Sequence, residues 1–319
     1  TGEWEKCKVS DLLDFYSTNS LSWEQLEYDT NTVMNLHYGL IHVGLPTMVD
    51  LAKDKLPNIK EGNMPKNFEM CKEGDVAFAD ASEDTNEVAK TIEFYNLARE
   101  NIVCGLHTIH GRDNKNKTVV GFKGYAFSSA AFHNQIRRIA QGTKIYSIST
   151  KNFSECYIGL PSKPEQTKIA TLLRLIDERI STQNKIIEKL QSLIKGLAAQ
   201  LTQSGTPNIR LCDCLECHSS TLQENCVSVT GSYPVYGATG LIGYTNNYAY
   251  NGESILIVKD GSGVGSLSYV NDHFSVIGTL NYLTAKENYS ILYLYYALMA
   301  FNFTPYITGM AIPHIYFKD

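Results

Sequence analysis

The chain has 319 residues, of which 43% are apolar, and a net charge of −5 at pH 7. This length suffices for two domains of ordinary size. No apolar run approaches the ~18 residues of a membrane-spanning helix, and the first residues lack a signal-peptide core, which predicts a soluble, cytoplasmic protein. Eight cysteines in such a chain predict reduced thiols.

Charge is unevenly distributed along the first half of the chain. Residues 1–98 carry 8 basic and 18 acidic side chains, whereas residues 99–151 carry 9 basic and 2 acidic ones. Because phosphate contacts dominate DNA affinity, the second segment predicts a phosphate-facing basic band. The alternative is that loop cations only solvate their loops. The band consists of Arg112, Lys115, Lys117, Lys123, Arg137, Arg138, Lys144 and Lys151, and Tyr146 is a further candidate DNA contact.

The sequence pattern of this region predicts a strand at 75–78 and a helix at 125–141 that Gly142 closes. The passage from helix to glycine to strand at 137–151 places Arg137, Arg138 and Lys144 near one edge. We expect that edge to face DNA.

A long helix is predicted from residue 166 to residue 201, roughly 50 Å at ~1.5 Å per residue. Ser162, Pro164 and Glu165 supply an N-cap, a first-turn proline and a capping-box glutamate, and Gly205 follows the far end. Two rows of residues recur every seven positions, which predicts a coiled-coil seam that needs a partner helix. The seam consists of Ile169, Leu173, Ile176, Ile180, Gln183, Ile187, Leu190, Ile194, Leu197 and Leu201.

The last third of the chain has few cations: Arg210, Lys259, Lys286 and Lys318. Strands are predicted at 254–258 and 266–270, and a helix is predicted at 290–301 as the counterpart of the helix at 125–141, more apolar and so more buried. The loops are rich in Tyr, Asn, Thr, Ser and Gly, which suit contacts to base edges and sugar-phosphate oxygens. The alternative is that the tyrosines pack against the sheet. The candidate DNA contacts are Tyr233, Tyr236, Thr239, Lys259, Ser262 and His314.

Residues 142–152 align without gaps on residues 309–319. The coincident pairs are Gly142 with Gly309, Ile145 with Ile312, Ile148 with Ile315, and Lys151 with Lys318. Three shorter matches, 8–13 with 210–215, 74–78 with 252–256 and 103–105 with 276–278, occur in the same order. The repeat predicts two homologous α+β domains, 1–160 and 207–319, joined by the helix and linker of 161–206.

Three cysteines near the second repeat, Cys212, Cys214 and Cys217, suggest a metal cluster. Cys212 and Cys214 correspond, however, to Ser10 and Leu12 of the first repeat, where no matching ligand set exists. A structural role is therefore preferred, and no metal ligand is predicted.

The sequence resembles the DNA-specificity subunits of type I restriction-modification enzymes over essentially its whole length. The resemblance is carried by 4–12, which looks like the opening of a target-recognition domain, and by Leu160 and Pro161 with 164–170, which look like the lead-in to the family's spacer helix. Residues 233–244 and 312–315 are similar to the second target-recognition domain.

The resemblance implies a non-catalytic subunit with two target-recognition domains, each of which reads half of a bipartite double-stranded DNA target. Its spacer helices set the gap and dock methyltransferase subunits, which recruit a restriction and motor subunit. S-adenosylmethionine, ATP and Mg²⁺ are expected in those partners, and no cofactor in this chain. By analogy a second spacer helix would begin beyond Asp319, so we expect the seam to pair with another chain, for instance in a homodimer. The alternatives are a coiled-coil dimerisation protein without a DNA role and a metal-binding protein that uses Cys212, Cys214 and Cys217.

Overall fold

The computed structural model describes residues 4–202, 205, 208–309 and 311–317. The chain divides into two compact units, Thr1–Thr182 (unit 1) and Gln183–Asp319 (unit 2). Both units mix helices and strands, which confirms the predicted α+β class. The division falls inside the long helix, and the predicted limits 1–160, 161–206 and 207–319 stay a prediction. None of the described helices is long and apolar enough to cross a membrane.

The strands of unit 1 form a five-stranded sheet in the order β2-β11-β7-β9-β5, a four-stranded sheet in the order β10-β4-β6-β3, and the pairs β1-β13 and β12-β8. The bounds are β1 (Glu5–Lys8), β2 (Asp14–Tyr16), β3 (Leu26–Glu27), β4 (Met34–Leu36), β5 (Met48–Asp50), β6 (Asn58–Ile59), β7 (Val76–Ala79), β8 (Ala81–Ser82), β9 (Thr91–Asn96), β10 (Ile102–Cys104), β11 (Thr108–Arg112), β12 (Tyr146–Ser147) and β13 (Tyr157–Leu160).

Unit 2 has a six-stranded sheet in the order β14-β19-β17-β18-β15-β16 and the pair β20-β21. Its strands are β14 (Leu215–Ser219), β15 (Tyr233–Gly237), β16 (Gly240–Thr245), β17 (Tyr250–Val258), β18 (Leu267–Val276), β19 (Leu280–Ala285), β20 (Ile307–Thr308) and β21 (His314–Ile315). The helices of the chain are α1 (Val9–Leu12), α2 (Tyr38–His42), α3 (Lys123–Phe127), α4 (Ala130–Ile139), α5 (Thr150–Ser154), α6 (Lys163–Thr202), α7 (Leu211–Cys214) and α8 (Ile291–Met299). Short 3₁₀ turns lie at Trp23–Gln25, Glu224–Cys226 and Thr304–Tyr306.

Four strands of each main sheet follow one plan. The order β2-β11-β7-β9 in unit 1 matches β14-β19-β17-β18 in unit 2, and every neighbouring pair is antiparallel. The register agrees with the sequence repeat, since Ala77 pairs with His110 and Ile255 pairs with Leu283. Each unit also has a corresponding parallel pair. In unit 1 it is β4 with β10, in the four-stranded sheet, and in unit 2 it is β15 with β18. The two units are therefore structural repeats.

The longest sequence match forms the same hairpin in both units. Gly142 and Gly309 both have positive φ, 139° and 91°. A Cβ atom at either position would meet the carbonyl oxygen three residues on, so these tight turns require glycine. The closing pairs, Gln141 with Ser147 and Thr308 with His314, also coincide. The end of the second copy, residues 318 and 319, lies outside the described residues, as does Met310.

The core of unit 1 between the five-stranded sheet and its helices is aromatic. Phe78 of β7 contacts Phe127 and Phe153 with ring centroids 5.0 and 4.5 Å apart, and Phe132 of α4 packs edge-on against Phe127. Burial of such a side chain contributes about 1.5–3 kcal/mol. The corresponding core of unit 2 is aliphatic, because Ile255, Ile257 and Leu283 pack against the buried residues of α8.

One of the two helix predictions needs correction. The helix predicted at 125–141 is two helices, α3 and α4, because Ser129 adopts an extended conformation and its hydroxyl caps α4 by accepting a hydrogen bond from the Phe132 amide. The helix predicted at 290–301 is α8, which buries three of its nine residues, whereas α4 buries two of its ten, as expected for the more apolar helix. Residues Tyr293 and Tyr296 of α8 are exposed although this helix is strongly apolar.

The long helix α6 is fixed to unit 1 by its first turns. Gln166 is buried, and its side chain donates hydrogen bonds to the carbonyl oxygens of Lys117 (3.2 Å) and Pro161 (2.9 Å). The same side chain accepts a hydrogen bond from the Val119 amide. One turn further on, Ala170 joins the core of unit 1. The lead-in that carries the family resemblance is therefore a docking segment for the helix.

Candidate nucleic-acid interface

The basic edge of unit 1 is built by α4 and the hairpin that follows it. Arg137 and Arg138 lie exposed in the last turn of α4, and Lys144 lies exposed in the turn that begins at Gly142. The pairing of Gln141 with Ser147 folds this turn back beside the helix end. The half-buried Tyr146 in β12 completes this group. The structure thus brings together four of the predicted DNA contacts, which we call the unit 1 edge.

Acidic side chains lie close to this edge. β12 pairs with β8, and the loop after β8 carries Glu83 and Asp84, both exposed. Their charge opposes phosphate binding on the side of the unit 1 edge where this loop lies.

Lys115 and Lys117 lie in a different place, the turn between β11 and α3. Lys115 Nζ donates to the Asp11 carbonyl oxygen (3.0 Å), and Lys117 Nζ lies 3.6 Å from Cys7 Sγ and 3.9 Å from a carboxylate oxygen of Glu5. Both ammonium groups therefore fasten this turn to the start of the chain. Their contribution to a DNA surface stays a prediction.

Arg112 does not belong to any exposed basic band. Its side chain is buried in β11, where Nε and Nη2 hold both oxygens of Asp75 at 2.9 and 2.8 Å and Nη1 bonds to Glu69. Burial alone would lower the pKa of Arg112, but the hydrogen bonds that it donates to Asp75 and Glu69 raise it above its ordinary value. The guanidinium is therefore a charged interior group with no free donor edge for a phosphate, because its donors are engaged.

Lys123 is also an interior group. Its ammonium lies 3.2 Å from Glu93 and donates to the Thr118 hydroxyl at 3.0 Å, and both Lys123 and Glu93 are buried. The amides of Gly121 and Gly124 donate to the same carboxylate. Burial raises the pKa of Glu93, and Lys123 and the two amides oppose that rise. Lys123 therefore does not belong to the exposed basic band, and its position in the sequence does not reveal this burial.

In unit 2, three of the predicted DNA contacts lie at the hairpin that closes with Thr308 and His314, the counterpart of the hairpin in unit 1. The Lys259 amide donates to Thr279, and the Lys259 carbonyl accepts from Ile315, while Gly261 donates to Pro313. These bonds hold the exposed Ser262 and the half-buried Lys259 next to His314 in β21. Three of the predicted contacts therefore lie together, which we call the unit 2 edge.

The three remaining candidates in unit 2 lie on β15 and the turn after it. Tyr236 is half-buried, and its carbonyl accepts from the Ile277 amide, two residues before Thr279. Thr239 is exposed in the turn. Tyr233 packs against Tyr248 and His273 with ring centroids 4.9 and 5.6 Å apart, as the packing alternative expects.

The predicted seam of α6 is solvent-exposed within this chain beyond its first turns. From Ile176 to Leu201 its apolar members are 43–73% exposed, and Gln183 is exposed as well. Apolar exposure extends to the adjoining row, Leu172, Ile186 and Leu193. The exposed apolar stripe is therefore wider than the seam of a two-helix coiled coil. Its width is typical of a helix that packs against more than one neighbour.

The cysteines weighed as a metal cluster do not form one. Within the described part of the chain, the one group of three close ligand atoms from His, Cys, Asp or Glu contains none of Cys212, Cys214 and Cys217. Cys214 is buried in α7 with its thiol near the Arg210 and Leu211 carbonyl oxygens, whereas Cys217 accepts from the Asn281 amide group. Of the three, Cys214 is buried and Cys212 and Cys217 are exposed.

The family model for the type I restriction modification DNA specificity domain matches residues 54–192 and 209–319. The chain belongs to this family. A curated protein of Haemophilus influenzae, described as a putative type I restriction enzyme specificity subunit, is 29% identical over 89 residues. The matched stretch spans 27% of this chain and about a quarter (23%) of that relative's length.

A solved structure of a specificity subunit shares the fold. The type I restriction-modification S subunit from M. genitalium is similar with a TM-score of 0.60 and 18% identity, over 93% of this chain and 76% of that one. A second structure, from work on complex assembly and conformational transition of the type I system, has a TM-score of 0.48 at 14% identity over 94% and 80% of the two chains. This chain is thus a type I specificity protein with two family-specific domain matches.

Proposed function

We propose that this chain recognises DNA sequence for a type I restriction-modification complex, with each unit reading one half of a bipartite target. One observation carries the proposal: the family model matches two separate stretches, and both stretches contain strands of the shared plan and the same hairpin. Two similar readers on one chain suit a target of two parts. The unit 1 edge contributes cations for phosphates, and the unit 2 edge contributes polar groups for bases and backbone.

The helix α6 sets the gap between the half-sites and docks methyltransferase subunits. Its exposed apolar stripe supports this role, since that stripe is too wide for one partner helix. The seam row pairs with a second spacer helix, and a homodimer is one source of that helix. The adjoining row is left for a methyltransferase subunit.

The chain itself performs recognition and not catalysis. The methyltransferase subunits bind S-adenosylmethionine and modify a base that is flipped out of the duplex, and the restriction and motor subunit uses ATP and Mg²⁺. The purified chain is therefore expected to transfer no labelled methyl group to DNA until methyltransferase subunits are added. Methyl transfer by the chain alone would contradict this division of labour.

Selection from random double-stranded DNA tests the recognition proposal. The chain, co-purified with its methyltransferase subunits, should enrich two short sequences at a fixed separation. Duplicating residues 184–190 adds one heptad and keeps the phase of the seam. At ~1.5 Å per residue and ~3.4 Å per base pair, the gap should lengthen by up to about three base pairs.

The matched control for this insertion is the substitution Lys185→Ala, which leaves helix length unchanged and should leave the gap unchanged. Both half-site sequences should be the same in all variants, because the sheets and edges of the two units are not altered. An unchanged gap in the heptad variant would refute the spacing role, and enrichment of a single uninterrupted sequence would refute bipartite recognition.

Helix pairing has its own test. Ile187→Asp buries a charge in the seam, so self-association measured by sedimentation should be lost, whereas Lys189→Asp on another helix face should leave it intact. A wild-type chain that stays monomeric at all concentrations would refute the homodimer. It would leave the DNA proposal to the selection experiment.

A further inference from the structure

Two cysteines and a histidine meet in the interior of unit 1. Cys71 precedes β7, Cys104 ends β10 and His110 lies in β11, and the three are 6, 2 and 0% exposed. Their ligand atoms all lie within 4.8 Å of one another, and the two sulfurs are 3.5 Å apart. Three separate segments therefore place two thiols and an imidazole nitrogen around one point.

The histidine is oriented as metal ligands usually are. His110 Nε2 bonds to an oxygen of Asp75 at 2.7 Å, and Arg112 holds that carboxylate through both its oxygens. A carboxylate on one ring nitrogen fixes the tautomer and leaves the lone pair on the other nitrogen. That other nitrogen, Nδ1, is buried and has no hydrogen-bond partner among the described residues, and the imidazole lies beside both sulfurs.

We propose that Cys71 Sγ, Cys104 Sγ and His110 Nδ1 bind a thiol-preferring metal ion, Zn²⁺ or Cu⁺. Both ions favour thiolate and imidazole ligands. A tetrahedral zinc ion with Zn–S bonds of ~2.3 Å holds its sulfurs about 3.8 Å apart, close to the spacing present here. An ion at this point would also satisfy Nδ1, which otherwise stays an unpaired polar atom in the core.

The balance of charge favours Zn²⁺ of the two. Each thiol loses one proton to solvent on binding, so two thiolates and a neutral imidazole neutralise one divalent cation. No net charge is added beside the buried ion pairs of Arg112, whereas Cu⁺ would leave one negative charge. The ion would tie β10, β11 and the segment before β7 together, a structural role. A metal ion at this point would depart from the expectation of no metal ligand in the chain.

Unit 2 has no equivalent site at the corresponding positions, all of which lie in described residues. By the register of the two sheets, His110 corresponds to Leu283. When the matches of 74–78 with 252–256 and of 103–105 with 276–278 are extended, the counterparts of Cys71 and Cys104 are Ala249 and Ile277. The site is therefore a property of unit 1 and not of the shared strand plan, and it does not depend on the proposed function.

Cobalt loading of the full chain tests the site. Reduced protein, stripped with a chelator, is titrated with Co²⁺ and followed by thiolate-to-cobalt absorption in the near ultraviolet. One Co²⁺ per chain should bind and be displaced by Zn²⁺. Cys71→Ser and Cys104→Ser should lose the absorption, and Cys156→Ser, which removes a buried thiol outside the cluster, should keep it. Replacing the exposed Cys212, Cys217 and Cys226 with Ser should also leave it unchanged.

Each outcome decides the proposal. Binding only of Cu⁺, in competition with a Cu⁺ chelator, supports the site and identifies the ion. Absorption that survives loss of Cys71 or Cys104, or a folded, reduced chain that binds neither ion, overturns it. A Cys71–Cys104 disulfide without metal binding overturns it too. If a variant fails to fold, X-ray absorption of the zinc-loaded unaltered chain decides, because it must show two sulfur ligands and one nitrogen ligand.

Discussion

Corresponding positions in the main sheets of the two units differ in polarity. The strand plan and register are shared, yet the interior of unit 1 holds charged or titratable residues where that of unit 2 holds apolar ones. His110, Arg112 and Glu93 of unit 1 correspond to Leu283, Ala285 and Val270 of unit 2. The fold therefore does not require the buried charges. They are specific to unit 1, and two cations that looked like DNA contacts serve its interior.

The largest effect is expected when one partner of a buried ion pair is removed. Lys123→Met leaves Glu93 buried without its counter-charge, which should destabilise unit 1 by about 3–5 kcal/mol. Both tryptophans of the chain, Trp4 and Trp23, lie in unit 1, so urea unfolding followed by tryptophan fluorescence reports on this unit. Lys151→Met, an exposed control, should change stability by less than about 0.5 kcal/mol. If Lys123→Met unfolded at the same urea concentration as the wild type, the buried charges of unit 1 would not contribute to its stability.

A smaller loss of stability is expected for Arg112→Lys. An ammonium keeps the charge but cannot hold both oxygens of Asp75, so a charged hydrogen bond worth about 1.5–3 kcal/mol is removed. Affinity for DNA should stay unchanged when it is compared at equal folded fractions. Arg137→Lys is the matched exposed control and should unfold like the wild type. Intact stability with weakened DNA binding in Arg112→Lys would return Arg112 to the interface.

The unit 1 edge should show the reverse behaviour. Substituting Arg137, Arg138 or Lys144 with Gln should leave urea unfolding unchanged and weaken binding to all DNA sequences alike. Removing one cation that binds a phosphate should reduce the slope of log affinity against log salt by about 0.9. Fluorescence anisotropy at several salt concentrations measures this slope. The same slope in all three variants as in the wild type would show that the unit 1 edge does not face phosphates.

The smallest effect is expected inside unit 2. Ser254 is buried, and its hydroxyl has no hydrogen-bond partner in the described residues. Because the substitution breaks no hydrogen bond, Ser254→Ala should change the free energy of unfolding by less than about 0.5 kcal/mol or increase it. Hydrogen exchange of β17 measures this locally. A destabilisation of about 2 kcal/mol would show that unit 2 also depends on a buried polar contact.

The sequence predicted the repeated hairpin and the long helix. The eleven-residue match became two hairpins with equivalent closing pairs, and heptads became a helix of 40 residues. It failed at Ser129, where a good capping residue inside an apolar pattern divided one predicted helix into two. The candidate site was predicted in part, because Arg137, Arg138 and Lys144 are near in sequence and remain near in space.

Long-range neighbours could not be predicted. Cys71 and Cys104 are 33 residues apart, without the short spacing that marks a metal site, whereas the closely spaced Cys212, Cys214 and Cys217 do not come together. Likewise, nothing in the spacing of Arg112 and Lys123 distinguishes a buried cation from an exposed one. Only their strand and helix partners show it.

The sequence by itself determined the repeat, the α+β class, the long helix and the family, because each is encoded in local periodicity or in short motifs near one another along the chain. The tertiary structure alone decided which cations face water, where the two edges lie and which sulfurs meet. The reason is physical: burial and ligand geometry depend on strand pairings between distant segments, and a pairing places residues roughly 30 or more positions apart within a few ångströms.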